Sequence, residues 1–288
     1  MKGGIKPSEQ YIRKKTDYFI NRKLYIPCDF FHFTSIPPSV PILRQPLRHC
    51  DSCTRHAGNI RHTRFGLAKS GKISYNRFCM DNIRVYTGGI AACNGYLVIT
   101  GDNTYIAIDA PLGFVDWILS RKPDAKITDL LITHQHFDHI QDAAKFKKQF
   151  GCTIHAHSPY SPELTLETLA RNAWDPDMHV EPFEVDDIVD EKRRTANWGG
   201  QLWHIHFVPG HSTDSNVYHL VDEDKLFSGD VLFAGSIGRT DLPGGDEKQL
   251  LNGIHARILN QPATTIVLPG HGPYTTVKHE RLTNPFLS

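Results

Sequence analysis

From residue 83 onward, apolar positions fall into short, regularly spaced runs. Stretches at 83–87, 96–100 and 105–109, separated by Gly and Asn turns, predict three strands. Residues 113–121 predict a helix, and the apolar run at 128–133 a buried strand. A helix is expected over 139–150, with Ile140, Ala144, Phe146 and Phe150 on its core face, then a strand at 152–156 and a helix at 162–171. Strand patterns return at 202–208, 216–221 and 225–228. A helix over 246–259 starts on Asp246, and a last buried strand covers 264–268. Between them, residues 174–200 are acidic and irregular, as expected of a lid or rim. Strands in runs with helices interspersed predict sheets covered by helices, not one doubly wound parallel sheet. Trp117, Trp174, Trp198 and Trp203 are expected to pack, and Cys93 and Cys152 to be buried apolar thiols.

Residues 1–79 show no such order. Prolines at 37, 38, 41 and 46 forbid a regular helix there. The segment carries 15 Lys and Arg against 4 Asp and Glu, whereas residues 80–288 carry 17 against 27, so the net charge of +1 hides two segments of opposite sign. The break at Met80 divides the chain into a basic, poorly ordered extension (1–79) and a compact domain (80–288). Two other readings of the extension are an organelle transit segment, being Arg-rich and acid-poor, and a small module in which Cys50 and Cys53 hold zinc with Cys28 or His49. No nucleic-acid motif accompanies the basic charge, and the acidic domain opposes phosphate, so no nucleic-acid partner is expected. No run reaches the ~18 apolar residues of a membrane span. Six cysteines in 288 residues are too few for a disulfide scaffold, and no secretory leader opens the chain. A cytoplasmic location, with reduced thiols, follows as the expectation.

Candidate chemistry is concentrated after four predicted strands. The first tip reads Thr133-His134-Gln135-His136-Phe137-Asp138-His139. In extended backbone, His134 and His136 fall on one side, and Asp138 and His139 follow where the chain turns into a helix. So many ligand-type groups in so short a stretch are costly to bury without a cation. The other tips are Pro209-Gly210-His211, Ser228-Gly229-Asp230 and Pro269-Gly270-His271, each with one such residue at a glycine turn. These residues sort into two sets. His134, His136 and His211 form a three-histidine set of the catalytic-zinc kind. Asp138, His139 and His271 form the other, and Asp230 has two oxygens with which to bridge. Two divalent ions there, zinc first with iron or manganese as alternatives, leave a net positive site suited to an oxyanion and make hydroxide available at neutral pH. His155, His157, His204 and His206 have strand spacing and are expected at surface or mouth positions.

His-x-His-x-Asp-His, Pro-Gly-His, Ser-Gly-Asp and Pro-Gly-His-Gly-Pro, in that order, resemble the metallo-β-lactamase superfamily. The stretch 235–246 (GSIGRTDLPGGD) and the tail 272–287 resemble its short glyoxalase II-like, hydroxyacylglutathione hydrolase-like branch. The likeness covers 80–288. It implies an αββα sandwich with the dinuclear site where the sheets meet, and a metal-dependent hydrolase that cleaves a small-molecule thioester, glutathione-linked in type, with a bridging hydroxide. It also implies that His134, His136, Asp138, His139, His211, Asp230 and His271 are the ligands, Asp138 and Asp230 serve catalysis, and Arg239 binds substrate unless Asp241 claims it. The chain departs from the pattern in two places: Asp214 stands where relatives show a small turn residue, and Asp109-Ala110-Pro111 where Asp-Pro-Gly is usual. The glutathione contacts of the helical domain that longer glyoxalase II enzymes append are not expected here. The competing expectation is a persulfide dioxygenase with one iron on His134, His211 and Asp230.

Overall fold

A computed structural model describes residues 82–287. The extension at 1–79, with Cys28, His49, Cys50 and Cys53, and the boundary at Met80 lie outside the described residues. Within them, six strands form one sheet in the order β1 (Ile83–Gly88), β2 (Cys93–Gly101), β3 (Thr104–Ile108), β4 (Lys126–Leu131), β5 (Thr153–Ala156) and β6 (Asp187–Ile188). Its β1-β2-β3 portion is antiparallel and the remainder parallel. A second sheet has β7 (Thr195–Trp198), β8 (Gln201–Phe207), β9 (Asn216–Leu220) and β10 (Lys225–Gly229) side by side. It continues through β13 (Ile266–Pro269), parallel to β10, and ends on β14 (Thr275–Thr276). A small hairpin, β11 (Leu232–Phe233) and β12 (Ser236–Ile237), completes the strands.

The central strands β2, β3, β9 and β10 are buried along most of their length because both faces are covered. Along β2, Tyr96 and Val98 enter the layer between the sheets, while Leu97 points to the helices α1 (Phe114–Arg121) and α3 (Ala143–Phe150). Along β3, Ile106 and Ile108 face inward and Tyr105 and Ala107 outward. In the second sheet, Tyr218, Phe227 and Leu268 fill the inter-sheet layer. Val217, Leu226 and Val267 pack outward with Leu250 of α6 (Glu247–Gly253), Ile254 and Ile258 of the π-helical turn that continues it, and Val277 of α7 (Val277–Thr283). The period-2 alternation of strand side chains therefore builds three apolar layers, and the fold is the expected αββα sandwich. No helix among the described residues is long and apolar enough to cross a membrane.

Several local expectations are corrected. The helix expected over 139–150 is two pieces, α2 (Phe137–Ile140) and α3. Between them the backbone bonds to Ala110 instead of to itself: Ala110 N donates to His139 O (2.6 Å) and Asp142 N to Ala110 O (2.8 Å). The Asp142 carboxylate also accepts from Val115 N at 3.0 Å, tying this break to the first turn of α1. The helix expected over 162–171 breaks at Leu166, whose φ of 55° is left-handed, into α4 (Pro162–Thr165) and α5 (Glu167–Ala173). Residues 174–200 contribute one edge strand to each sheet, β6 to the first and β7 to the second. Trp198 and Trp203 are buried as expected, but Trp174 is 59 % exposed, with its ring 6.0 Å from that of Phe137. Asp246 caps α6, accepting from Gln249 N at 2.9 Å.

Candidate metal centre

The four histidine- and aspartate-bearing loops leave the ends of β4, β8, β10 and β13 and are bonded to one another across the sandwich. Asn216 N donates to Thr133 O (2.8 Å), Gly270 N to Gly229 O (2.8 Å) and Asn94 N to Gly270 O (2.7 Å). Asp214 clamps two of the loops. One of its oxygens accepts from Gln135 N at 3.0 Å and the other from the Ser212 hydroxyl. Burial pushes this carboxyl up from its ordinary range. The departure from a small turn residue thus has a structural use. Asn94 secures the last loop, its side-chain amide donating to Pro269 O (3.0 Å) and Gly272 O (2.9 Å).

The structure brings all seven predicted residues together. Ligand-type atoms of His134, His136 and His211 lie within 4.8 Å of one another, and the His211 Nε2 and His136 Nδ1 atoms are 2.9 Å apart. On the other side, His271 Nε2 is 3.1 Å from Asp138 Oδ2, and His139 Nε2 is 3.7 Å from the same oxygen. Asp230 stands between: Oδ1 lies 3.2 Å from His139 Nε2, and Oδ2 lies 3.5 Å from His211 Nε2 and 3.4 Å from His271 Nε2. Gly270 makes this approach feasible, because a Cβ there would collide with Asp230 Oδ1 and come within 2.6 Å of the His139 ring.

Outer partners aim the rings. His139 Nδ1 donates to Asp109 Oδ2 (2.7 Å) and His211 Nδ1 to Arg239 O (2.8 Å), while His134 Nδ1 contacts the Thr133 hydroxyl at 3.1 Å. With Nδ1 engaged, Nε2 of each ring faces the centre. His134 Nε2, His139 Nε2 and Asp230 Oδ1 are buried there with no hydrogen-bond partner among the described residues. Buried polar atoms are nearly always satisfied, so a convergent group of orphaned donors fits a cation. Electrostatics divides the two sets. Burial, reinforced by the neighbouring rings, holds His134 well below its ordinary value, brings His136 to about 3 and lowers His211. Burial also opposes charge on His139 and His271, but for His271 the carboxylates of Asp230 and Asp138 outweigh it. For His139, Cys93, Asp109, Asp138 and Asp230 do so, and both rings lie well above the usual range. Burial likewise opposes the ionised Asp230, yet His271 and His139 carry that carboxyl well below its usual value.

Other predicted residues fall elsewhere. The Arg239 side chain forms a two-pronged ion pair with Asp241 (2.7 and 2.8 Å), while its carbonyl serves His211. His155, expected near the surface, is buried between Asp129 (2.9 Å) and Asp187 (2.8 Å). His204 and His206 lie along β8 with His219 of β9 beside them, and burial brings His206 to about 4. Sequence reasoning missed Asp109, which it noted only as part of an altered motif. It also missed Asn94, and Cys93, a buried thiol as expected but one set among donors rather than apolar groups. A ligand-type residue just past a buried strand, as with Asp109, was the available signal.

Comparison with known proteins agrees with this geometry. Residues 88–271 match the family model of the metallo-beta-lactamase superfamily. A probable metallo-hydrolase, YqgX of Bacillus subtilis, is 34 % identical over 206 residues, covering 71 % of this chain and 96 % of its own. The hydroxyacylglutathione hydrolase GloC of Haemophilus influenzae is 33 % identical over 195 residues, covering 66 % and 91 %. The crystal structure of the B3 metallo-beta-lactamase BLEG-1 superposes with a TM-score of 0.65 at 31 % identity, covering 72 % of this chain and 99 % of that one. The sandwich, the loops gathered at its edge and the family match over 88–271 lead to one assignment: this chain belongs to the metallo-beta-lactamase superfamily, as a metal-dependent hydrolase.

Proposed function

We propose that the protein hydrolyses small-molecule thioesters of the S-2-hydroxyacylglutathione type, using two divalent cations. His134, His136 and His211 would hold one ion and Asp138, His139 and His271 the other, with Asp230 available to both. The observation that carries this reading is the placement of Asp230, whose two oxygens reach toward histidines of both sets. Zinc suits the nitrogen-rich set best, with iron or manganese as alternatives. When bound, such ions lower the pKa of water to about 7 and polarise a carbonyl.

The chain's own groups do the rest. Asp138, with Oδ2 3.1 Å from His271, is placed to accept a hydrogen bond from the attacking water and so orient it toward the substrate carbonyl. The Asp109, Thr133 and Arg239 contacts hold the rings in one orientation before substrate arrives. A thiolate leaves without a dedicated protonating acid, because a free thiol ionises near pH 8.5. The exposed Arg239 side chain is taken up by Asp241 in a two-pronged ion pair, so it could meet a substrate carboxylate only by opening that pair. The likeness to GloC supports the thioester class. The 80–288 boundary, a cytoplasmic setting and the absence of a nucleic-acid partner belong to the same proposal.

The test is release of free thiol by the metal-loaded full chain from hydroxyacylglutathione and acyl-coenzyme A thioesters. Parallel assays follow β-lactam opening and oxygen uptake with glutathione persulfide. Thioester cleavage is expected to dominate, and Asp230→Asn to lower kcat/KM by at least about a hundredfold. Oxygen uptake with a single bound iron, or β-lactam opening without thiol release, overturns the reading.

A further inference from the structure

Cys93 opens β2, and its backbone forms an isolated antiparallel bridge with His271. The residue is fully buried. Its sulfur lies within 4.8 Å of a ligand-type atom from each of Asp138, His139 and His271, and these atoms are equally close to one another. The thiol donates to the carbonyl of its neighbour Asn94 at a long 3.7 Å. His139 Nε2, in the same group, is buried without a hydrogen-bond partner among the described residues. A sulfur therefore shares one small enclosure with two imidazoles and a carboxylate, one of them an orphaned donor.

We propose that Cys93 is a further ligand of the second ion, supplying a thiolate alongside Asp138, His139 and His271. The inference rests on the ligand assignment above and deepens it. On coordination the S–H bond is replaced by a sulfur–metal bond, and the proton leaves to solvent; no electrons are transferred. A soft thiolate makes this position favour zinc, cobalt or iron over manganese or magnesium, while the three-histidine position has no sulfur donor. The two positions of one site then differ in the metals they retain.

The experiment is to load the full chain with Co2+ and record its near-ultraviolet spectrum, where thiolate-to-cobalt charge transfer absorbs. The expected result is a charge-transfer band as the second equivalent binds, absent in both Cys93→Ser and Cys93→Ala. The band is expected to persist in Cys152→Ser and when Cys28, Cys50, Cys53 and Cys79 are together changed to serine. Persistence in both variants assigns the band to Cys93 by elimination, even if the Cys93 variants fold poorly. Manganese is expected to displace the second cobalt at least about tenfold more readily in Cys93→Ser than in the wild type. Two bound cobalt ions with no such band, or a band unchanged in Cys93→Ser, overturn the proposal while sparing the dinuclear reading. Failure of the chain to bind two cobalt ions overturns both.

Discussion

Asp109 serves two loops with one carboxylate. Oδ1 accepts from Thr133 N (2.8 Å), and Oδ2 accepts from the Thr133 hydroxyl (2.9 Å) and from His139 Nδ1 (2.7 Å). Its backbone is left-handed, with a φ of 56°, which turns the chain sharply after β3. An amide at this position offers one acceptor oxygen in place of two, so either the Thr133 N bond is lost or both bonds at Oδ2 are, that of His139 among them. Asp109→Asn is expected to weaken the second ion by about 10- to 100-fold while leaving the three-histidine set filled. Metal titration with a competing chelator reads this, and equal weakening of both ions counts against the role given to Asp109. Such a residue is hard to read from sequence because its value lies in a partner 30 positions away, brought close only by the sheet. Cys93 escaped for the same reason. A cysteine at the start of an apolar strand is indistinguishable from a core thiol until His271 is paired beside it.

The four loops were legible because each sets a ligand-type residue beside a strand end, usually on a glycine. The strands were legible because burial on both faces leaves uninterrupted apolar runs, as in Leu130, Leu131 and Ile132. Helix continuity was not legible. The apolar spacing of 139–150 fits one helix, and only the two bonds to Ala110 interrupt it. The two-residue strand β6 also lacks enough residues to show a period. At this scale Gly270 decides how closely the loops after β10 and β13 approach. Gly270→Ala is expected to displace Asp230 and the His139 ring, with the second ion lost and thioester turnover reduced at least about tenfold. Far-ultraviolet circular dichroism should stay native, since the collision is confined to the centre. Full metal content with unchanged turnover in this variant contradicts the close packing of the two loops.

Across the whole molecule, the two donor sets couple metal, protons and stability with different signs. His134, His136 and His211 are held low and stay neutral near pH 7, so an ion there displaces no ring protons. Their effect on the metal-free protein is to remove stability as pH falls below about 6.5, where the unfolded chain takes up protons that the folded chain refuses. His139 and His271 are held high by their carboxylate neighbours, so their ion pairs stabilise the metal-free fold below about pH 6.5. That contribution is lost as pH rises through the raised values. An ion at the second set must displace those protons, and its affinity therefore rises with pH. An ion that binds only the folded state stabilises it in proportion to the logarithm of its concentration over Kd. The gain in Tm on adding zinc to chelator-treated protein is thus expected to be larger at about pH 8 than at about pH 6. Two ions are expected to be retained at the higher pH and one, at the three-histidine set, at the lower. Equal gains at both values, or loss of the three-histidine ion first, contradicts this division of charge between the sets.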